Sequence, residues 1–130
     1  MALVKVITVL NAVTTTQNSQ KIFIGDYDRV AVLFRAASIS SGNGAFTVKA
    51  GFGQLASDTP TVTAYNQLID NLTNTNTQYQ THVNGKTLSS NIDAMLWMDT
   101  NTPATHIEID LAVTTDGAYS AFVIGFQEAE

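Results

Sequence analysis

The chain has 130 residues, 45% of them hydrophobic, and a net charge of −5 from eleven acidic residues against four Lys and two Arg. This is the apolar content of one globular domain, 1–130, with too few clustered cations for a phosphate-binding groove, so no direct nucleic-acid partner is expected. The absence of cysteine excludes disulfides, thiol chemistry and Cys-type zinc sites, and no window of about 18 apolar residues offers a membrane span.

Charged residues are only 13%, while Thr, Asn, Ser and Gln supply 43 of the 130 positions, so the expected surface is rich in hydroxyls and amides. The start, Met1-Ala2-Leu3-Val4-Lys5-Val6, places its charge after the apolar residues, unlike a secretory signal, and synthesis in the cytoplasm is the expectation.

The hydrophobic period is two almost throughout, which is the signature of half-buried strands. Strands are expected at 3–13, 20–25, 27–37, 44–54, 61–69, 78–83, 86–90, 92–98, 104–115 and 118–127. In the first, Val4 and Val6 alternate with Lys5. The run Val30-Ala31-Val32-Leu33-Phe34 is apolar at every position and reads as a central strand covered on both faces, as does Tyr119–Phe126. Phe46, Val48 and Ala50 alternate cleanly with Thr47 and Lys49. Ile107, Ile109 and Leu111 alternate with His106, Glu108 and Asp110.

Turn signals fall at Ser41-Gly42-Asn43-Gly44, Asn84-Gly85 and Asp116-Gly117. Asn-Gly and Asp-Gly supply the positive φ of tight hairpins, so 105–115 is expected to pair with 118–127 as a C-terminal hairpin. No helical stripe is sustained anywhere. The fold class is therefore all-β, an antiparallel β-sandwich or jelly roll of about eight to ten strands.

Chemistry is sparse. The two histidines, His82 and His106, lie in polar or solvent-facing strand positions, and no nucleophile elbow, P-loop, dinucleotide glycine motif or metalloprotease motif is present. Asp26 and Asp28 offer too few oxygens in a row for a calcium loop. Glu108 and Asp110 share a strand face with His106, which reads as a solvated face, a subunit contact or a weak cation site. No catalytic residue, metal or cofactor is expected. Met95, Trp97 and Asp99 share one face of their strand and Ala94, Leu96 and Met98 the other; apolar character on both faces points to a central strand or to an outer face covered by another subunit. The uncharged stretch 71–81 reads as a loop or as an arm suited to strand addition.

The string Arg35-Ala36-Ala37-Ser38-Ile39-Ser40-Ser41-Gly42-Asn43-Gly44-Ala45-Phe46-Thr47-Val48 resembles small virion proteins of tailed bacteriophages. So do Tyr65-Asn66-Gln67-Leu68 with Asn71–Asn76, and Thr114-Thr115-Asp116-Gly117-Ala118-Tyr119-Ser120-Ala121. The resemblance implies a β-sandwich on a capsid or tail. The expected function is a capsid decoration (cement) protein, not an enzyme, whose partners are the major capsid protein and its own copies, as a trimer. Its place would be the virion surface. Candidate interface residues are Leu3, Val4, Tyr79, Trp97, Met98, His106, Glu108 and Asp110. The alternatives are a glycan- or receptor-binding module using Trp97, Tyr27, Tyr65 or Tyr79, and a tube or filament subunit.

Overall fold

The computed structural model describes residues 2–51, 68–70, 81–98 and 104–128. Eleven strands are described: β1 (Ala2–Val13), β2 (Gln17–Asn18), β3 (Ile22–Phe23), β4 (Arg29–Ala37), β5 (Asn43–Gly51), β6 (Leu68–Asp70), β7 (Thr81–Val83), β8 (Gly85–Leu88), β9 (Asp93–Met98), β10 (His106–Thr114) and β11 (Ala118–Glu128). No helix occurs among the described residues. The expected strand at 61–69 and the arm 71–81 lie largely outside them.

The strands form two antiparallel sheets. The first runs β1-β11-β4-β9-β6-β7; the second runs β2-β10-β5-β8, with β3 also on β10. This is the expected β-sandwich. β4 and β11 are central strands of the first sheet, as their unbroken apolar runs suggested.

One expectation fails. β10 and β11 do not form a hairpin: β10 pairs with β5 over nine residues, and β11 pairs with β1 and β4. The Asp116-Gly117 connection instead carries the chain from one sheet to the other. The links β4–β5 and β7–β8, at the other two glycine turns, also change sheets. Of the glycines in these three turns only Gly117 takes a positive φ, so the dipeptides mark sharp reversals without saying which sheet the next strand joins.

Asp116 holds the crossing in place. Its carboxylate accepts backbone N–H groups from Ser40, Ser41 and Gly42, the last at 2.9 Å, so the β10–β11 arch grips the β4–β5 arch. A Cβ on Gly42 would run into the Thr114 carbonyl oxygen. Gly117 sits at φ 115°, where other residues are strained. The Tyr119 hydroxyl donates to the Asp116 carbonyl at 2.7 Å and closes the arch from below.

The core lies between the sheets. Val32, Phe34, Ala121, Val123 and Leu96 from the first meet Phe46, Val48, Ile107 and Ile109 from the second. Phe34 and Phe46 stack at 4.4 Å between centroids and 8° between planes, and Tyr119 meets Phe46 edge-on at 6.2 Å. β2 and β3 are one interrupted edge strand on β10. Ser19 bridges the break: its N–H donates to Ile109 O at 2.8 Å, and its Oγ accepts Ile109 N–H at 2.9 Å. The expected strand 20–25 therefore straddles this interruption.

Two substitutions test this packing. Phe34→Ala should cost about 3–5 kcal/mol, because the stacked ring leaves a cavity. Asp116→Ala should cost about 1–2 kcal/mol, chiefly by leaving the buried Gly42 N–H without its acceptor. Urea unfolding monitored by Trp97 fluorescence measures both.

Candidate functional site

Three surfaces present chemistry: the outer face of each sheet, and a groove along the β1 edge.

On the outer face of the first sheet, register brings apolar side chains into rows. Val4 lies opposite Phe126, which lies opposite Arg29. Val6, Ile124, Ala31 and Trp97 form the next row; Thr8, Phe122, Leu33 and Met95 the one after. Val4, Val6 and Met95 are 61%, 59% and 39% exposed, while Phe122, Ile124, Phe126, Leu33 and Trp97 are half-buried. A sheet with one face in water alternates apolar-in with polar-out. Here the outward positions of four strands are mostly apolar.

Two arginines are set into this face. The Arg29 guanidinium lies 5.2 Å from the Phe126 ring centroid and 5.7 Å from that of Trp97, and among the described residues it makes no ion pair. Arg35 lies 5.5 Å from the Phe122 ring and holds Asp93 through two bonds, Nε–Oδ1 at 3.0 Å and Nη2–Oδ2 at 3.1 Å. The aromatic rings hold the cations by their negative faces and leave the guanidinium edges free to bond outward.

The outer face of the second sheet is polar. His106, Glu108 and Asp110 do form one stripe, joined by Lys49 from β5 and by Phe23, whose ring meets His106 edge-on at 5.3 Å. Lys49 Nζ sits 2.7 Å from Asp110 Oδ2. Burial pushes the Glu108 carboxyl up to about 7, helped by a hydrogen bond to Asp110 and the repulsion of its charge, against the pull of Lys49 and Lys21. Asp110 Oδ1, which is buried, has no other partner among the described residues. A lysine therefore already sits where a weakly bound cation would go. Hydrogen bonding to Asp110, before its charge, raises the Lys49 ammonium above its ordinary value.

The groove runs along β1, where the edges of the two sheets part. It encloses about 740 Å³ between Lys5, Ile7 and Leu10 on one wall and Gln17–Ile22 on the other. A second pocket of about 290 Å³, lined by Leu3, Lys5, Asp26, Tyr27 and Gln127, continues it. Asp26 and Tyr27 lie in the connection between β3 and β4. Asp28 in the same connection donates its N–H to Phe126 O at 2.8 Å and accepts the Glu128 N–H at 2.6 Å, tying down the end of β11.

Of the expected interface residues, Leu3, Val4 and Trp97 lie along the first sheet's β1 edge and outer face, and His106, Glu108 and Asp110 lie on the second sheet. Met98 is only 7% exposed and packs in the core, so contacts at β9 fall to Met95 and Trp97. Tyr79 lies outside the described residues, as does Tyr65. His82 is in β7 of the first sheet and His106 in β10 of the second. The sequence reading passed over Val6, Arg29, Phe122, Ile124 and Phe126. For Phe122, Ile124 and Phe126 the signal was the run Ala121–Phe126, which has no polar side chain on either face; Val6 and Arg29 join them only through cross-strand register.

The chain shares its fold with a prophage protein. The crystal structure of the SPBc2 prophage-derived protein YomS superposes with a TM-score of 0.58 over 96% of each chain, at 13% sequence identity. No family model matches the chain, and no curated protein matches it.

Glu108 sets a pH dependence. The folded state keeps a proton on Glu108 that the unfolded chain releases at the ordinary value of 4.5. The stability it contributes is full below that value and is lost as pH rises through about 7. Glu108→Gln should therefore flatten the fall in urea midpoint between pH 5 and pH 8, with its largest gain over the wild type at pH 8.

Proposed function

We propose that the chain is a structural protein of a phage particle, a capsid decoration protein that binds the major capsid lattice through the outer face of its first sheet. The observation that carries this reading is the apolar row structure of that face, with Arg29 held between Trp97 and Phe126 and free to bond outward. Large apolar patches set with polar groups mark protein contact surfaces, and Trp and Arg dominate the energies of such contacts. The fold shared with a prophage-derived protein supports the phage setting, as does the resemblance of the strings around Gly42 and Gly117 to virion proteins.

The mechanism is non-covalent. The lattice would cover Val4, Val6, Ile124 and Met95, and a carboxylate on it would take the free edge of Arg29. Burial contributes about 25 cal/mol per Å² before the costs of association. A glycan-binding reading is less well served: Arg29 lies over the Trp97 ring, and Tyr27 packs against Gly125. The sandwich supplies a rigid plate, and its outer face supplies the adhesion.

Immunogold labelling of particles of the phage that encodes the chain tests the location. Label spread over the head supports decoration; label confined to the tail favours a fibre or tube component; unlabelled particles overturn both. Arg29→Glu and Trp97→Ser should each weaken binding to heads lacking the protein by about 2 kcal/mol, roughly thirtyfold in Kd, and the urea midpoint of Arg29→Glu should change little. Sedimentation of the purified variants with such heads reads the loss.

A further inference from the structure

We propose that the chain pairs with a second copy of itself, β1 against β1 in antiparallel register about Lys5, to make one sheet continuous across two molecules. This goes beyond the docking of the outer face and does not depend on what that face binds.

Four observations carry it. First, β1 is an edge strand with a neighbour, β11, on one side only among the described residues. Residues 2–8 run against β11 without a register shift. Such an edge presents a row of free N–H and C=O groups, which proteins usually guard with proline, a bulge or charge. The corresponding edge of the second sheet is guarded, because β2–β3 is interrupted at Ser19–Lys21. Residues 2–8 of β1 carry one charge, Lys5, and no proline.

Second, the edge is apolar on its outward side, with Val4 and Val6 more than half exposed. Third, the groove lies beneath this same edge and has room for inward side chains of an added strand.

Fourth, the charges select a second copy as the occupant. With the two-fold axis at Lys5, all of residues 2–8 meet 8–2. Val4 lies opposite Val6 of the second copy and extends the apolar outer face, and Leu3 lies opposite Ile7 on the groove side. Lys5 meets Lys5, which alone would be destabilising. Asp26 lines the same groove as Lys5, and among the described residues neither makes an ion pair within its own chain. Two Asp26 carboxylates beside two Lys5 ammonium groups balance the centre of the contact. The surface is thus complementary to itself, as a two-fold interface must be.

Light scattering at increasing concentration, with charge reversal, tests the pairing. The wild type should reach twice 13.9 kDa. Lys5→Glu gathers four carboxylates at the axis and Asp26→Lys four ammonium groups, so each should weaken the dimer at least tenfold. The double variant Lys5→Glu/Asp26→Lys should bring it back to within threefold of the wild type. All sites are exposed or groove-lining, and circular dichroism checks that each variant folds. Because the chain is free of cysteine, Lys5→Cys should form a disulfide with its own copy on mild oxidation, whereas Thr8→Cys should not. A wild type that stays monomeric at millimolar concentration, a trimer, or a dimer indifferent to charge reversal would each overturn the proposal.

Discussion

The Asp116 carboxylate is the point on which the two sheets depend. A chain whose consecutive strands alternate between sheets must turn through an arch at almost every connection, and arches have no ladder of their own to hold them. Asp116 supplies the missing acceptor for the backbone of the neighbouring arch, at Ser40 to Gly42. It thereby fixes how β4 and β11, the central strands of one sheet, sit over β5 and β10, the central strands of the other. The stacked pair Phe34–Phe46 and the edge-on Tyr119 lie in the same core, and Tyr119 is bonded to the Asp116 backbone. Packing of the core and closure of the arch therefore rest on one turn.

From that frame the two outer faces acquire opposite characters. The second sheet keeps the alternation that water demands, and its stripe of His106, Glu108 and Asp110 is partly neutralised by Lys49. The first sheet breaks the alternation. Across β1, β11, β4 and β9 its outer positions are mostly apolar, with two arginines laid against aromatic rings. A side chain such as Trp97 or Phe126 can hold a guanidinium without neutralising it, so the face combines apolar area with uncompensated positive charge.

Much of this was legible in the residues. Period-two alternation at Phe46–Ala50 and Ile107–Leu111 placed two strands of the second sheet and their inward faces correctly. The continuous runs at 30–34 and 119–126 identified the central strands of the first. The pairing of 105–115 with 118–127 was misread, because Asp-Gly specifies a reversal of direction and is silent on whether the chain returns to the same sheet. The donors that decide it, the N–H groups of Ser40 to Gly42, lie more than seventy residues from the Asp116 carboxylate that accepts them. The apolar outer face was half visible. Trp97 and Val4 were picked out by their neighbours in sequence, whereas Arg29, Phe126 and Ile124 join them only through cross-strand register, which no local pattern contains. Met98 was grouped correctly with Ala94 and Leu96 but named as a contact, because both faces of β9 are apolar and only packing tells which one meets the core.

The placement of β11 has a consequence for how the molecule is made. It lies between β1 and β4, so residues 118–128 join an early segment of the chain to the middle of a sheet. Until they have been synthesised, β1 has no ladder partner and β4 has only β9 among the described residues. Folding must wait for these residues and then close its longest loop, which belongs to the slow, millisecond-to-second class of β topologies. In that interval the emerging chain carries β1 and β4 with their apolar sides uncovered, and its solubility rests on the Thr-, Asn- and Gln-rich segments between them and on its excess of negative charge.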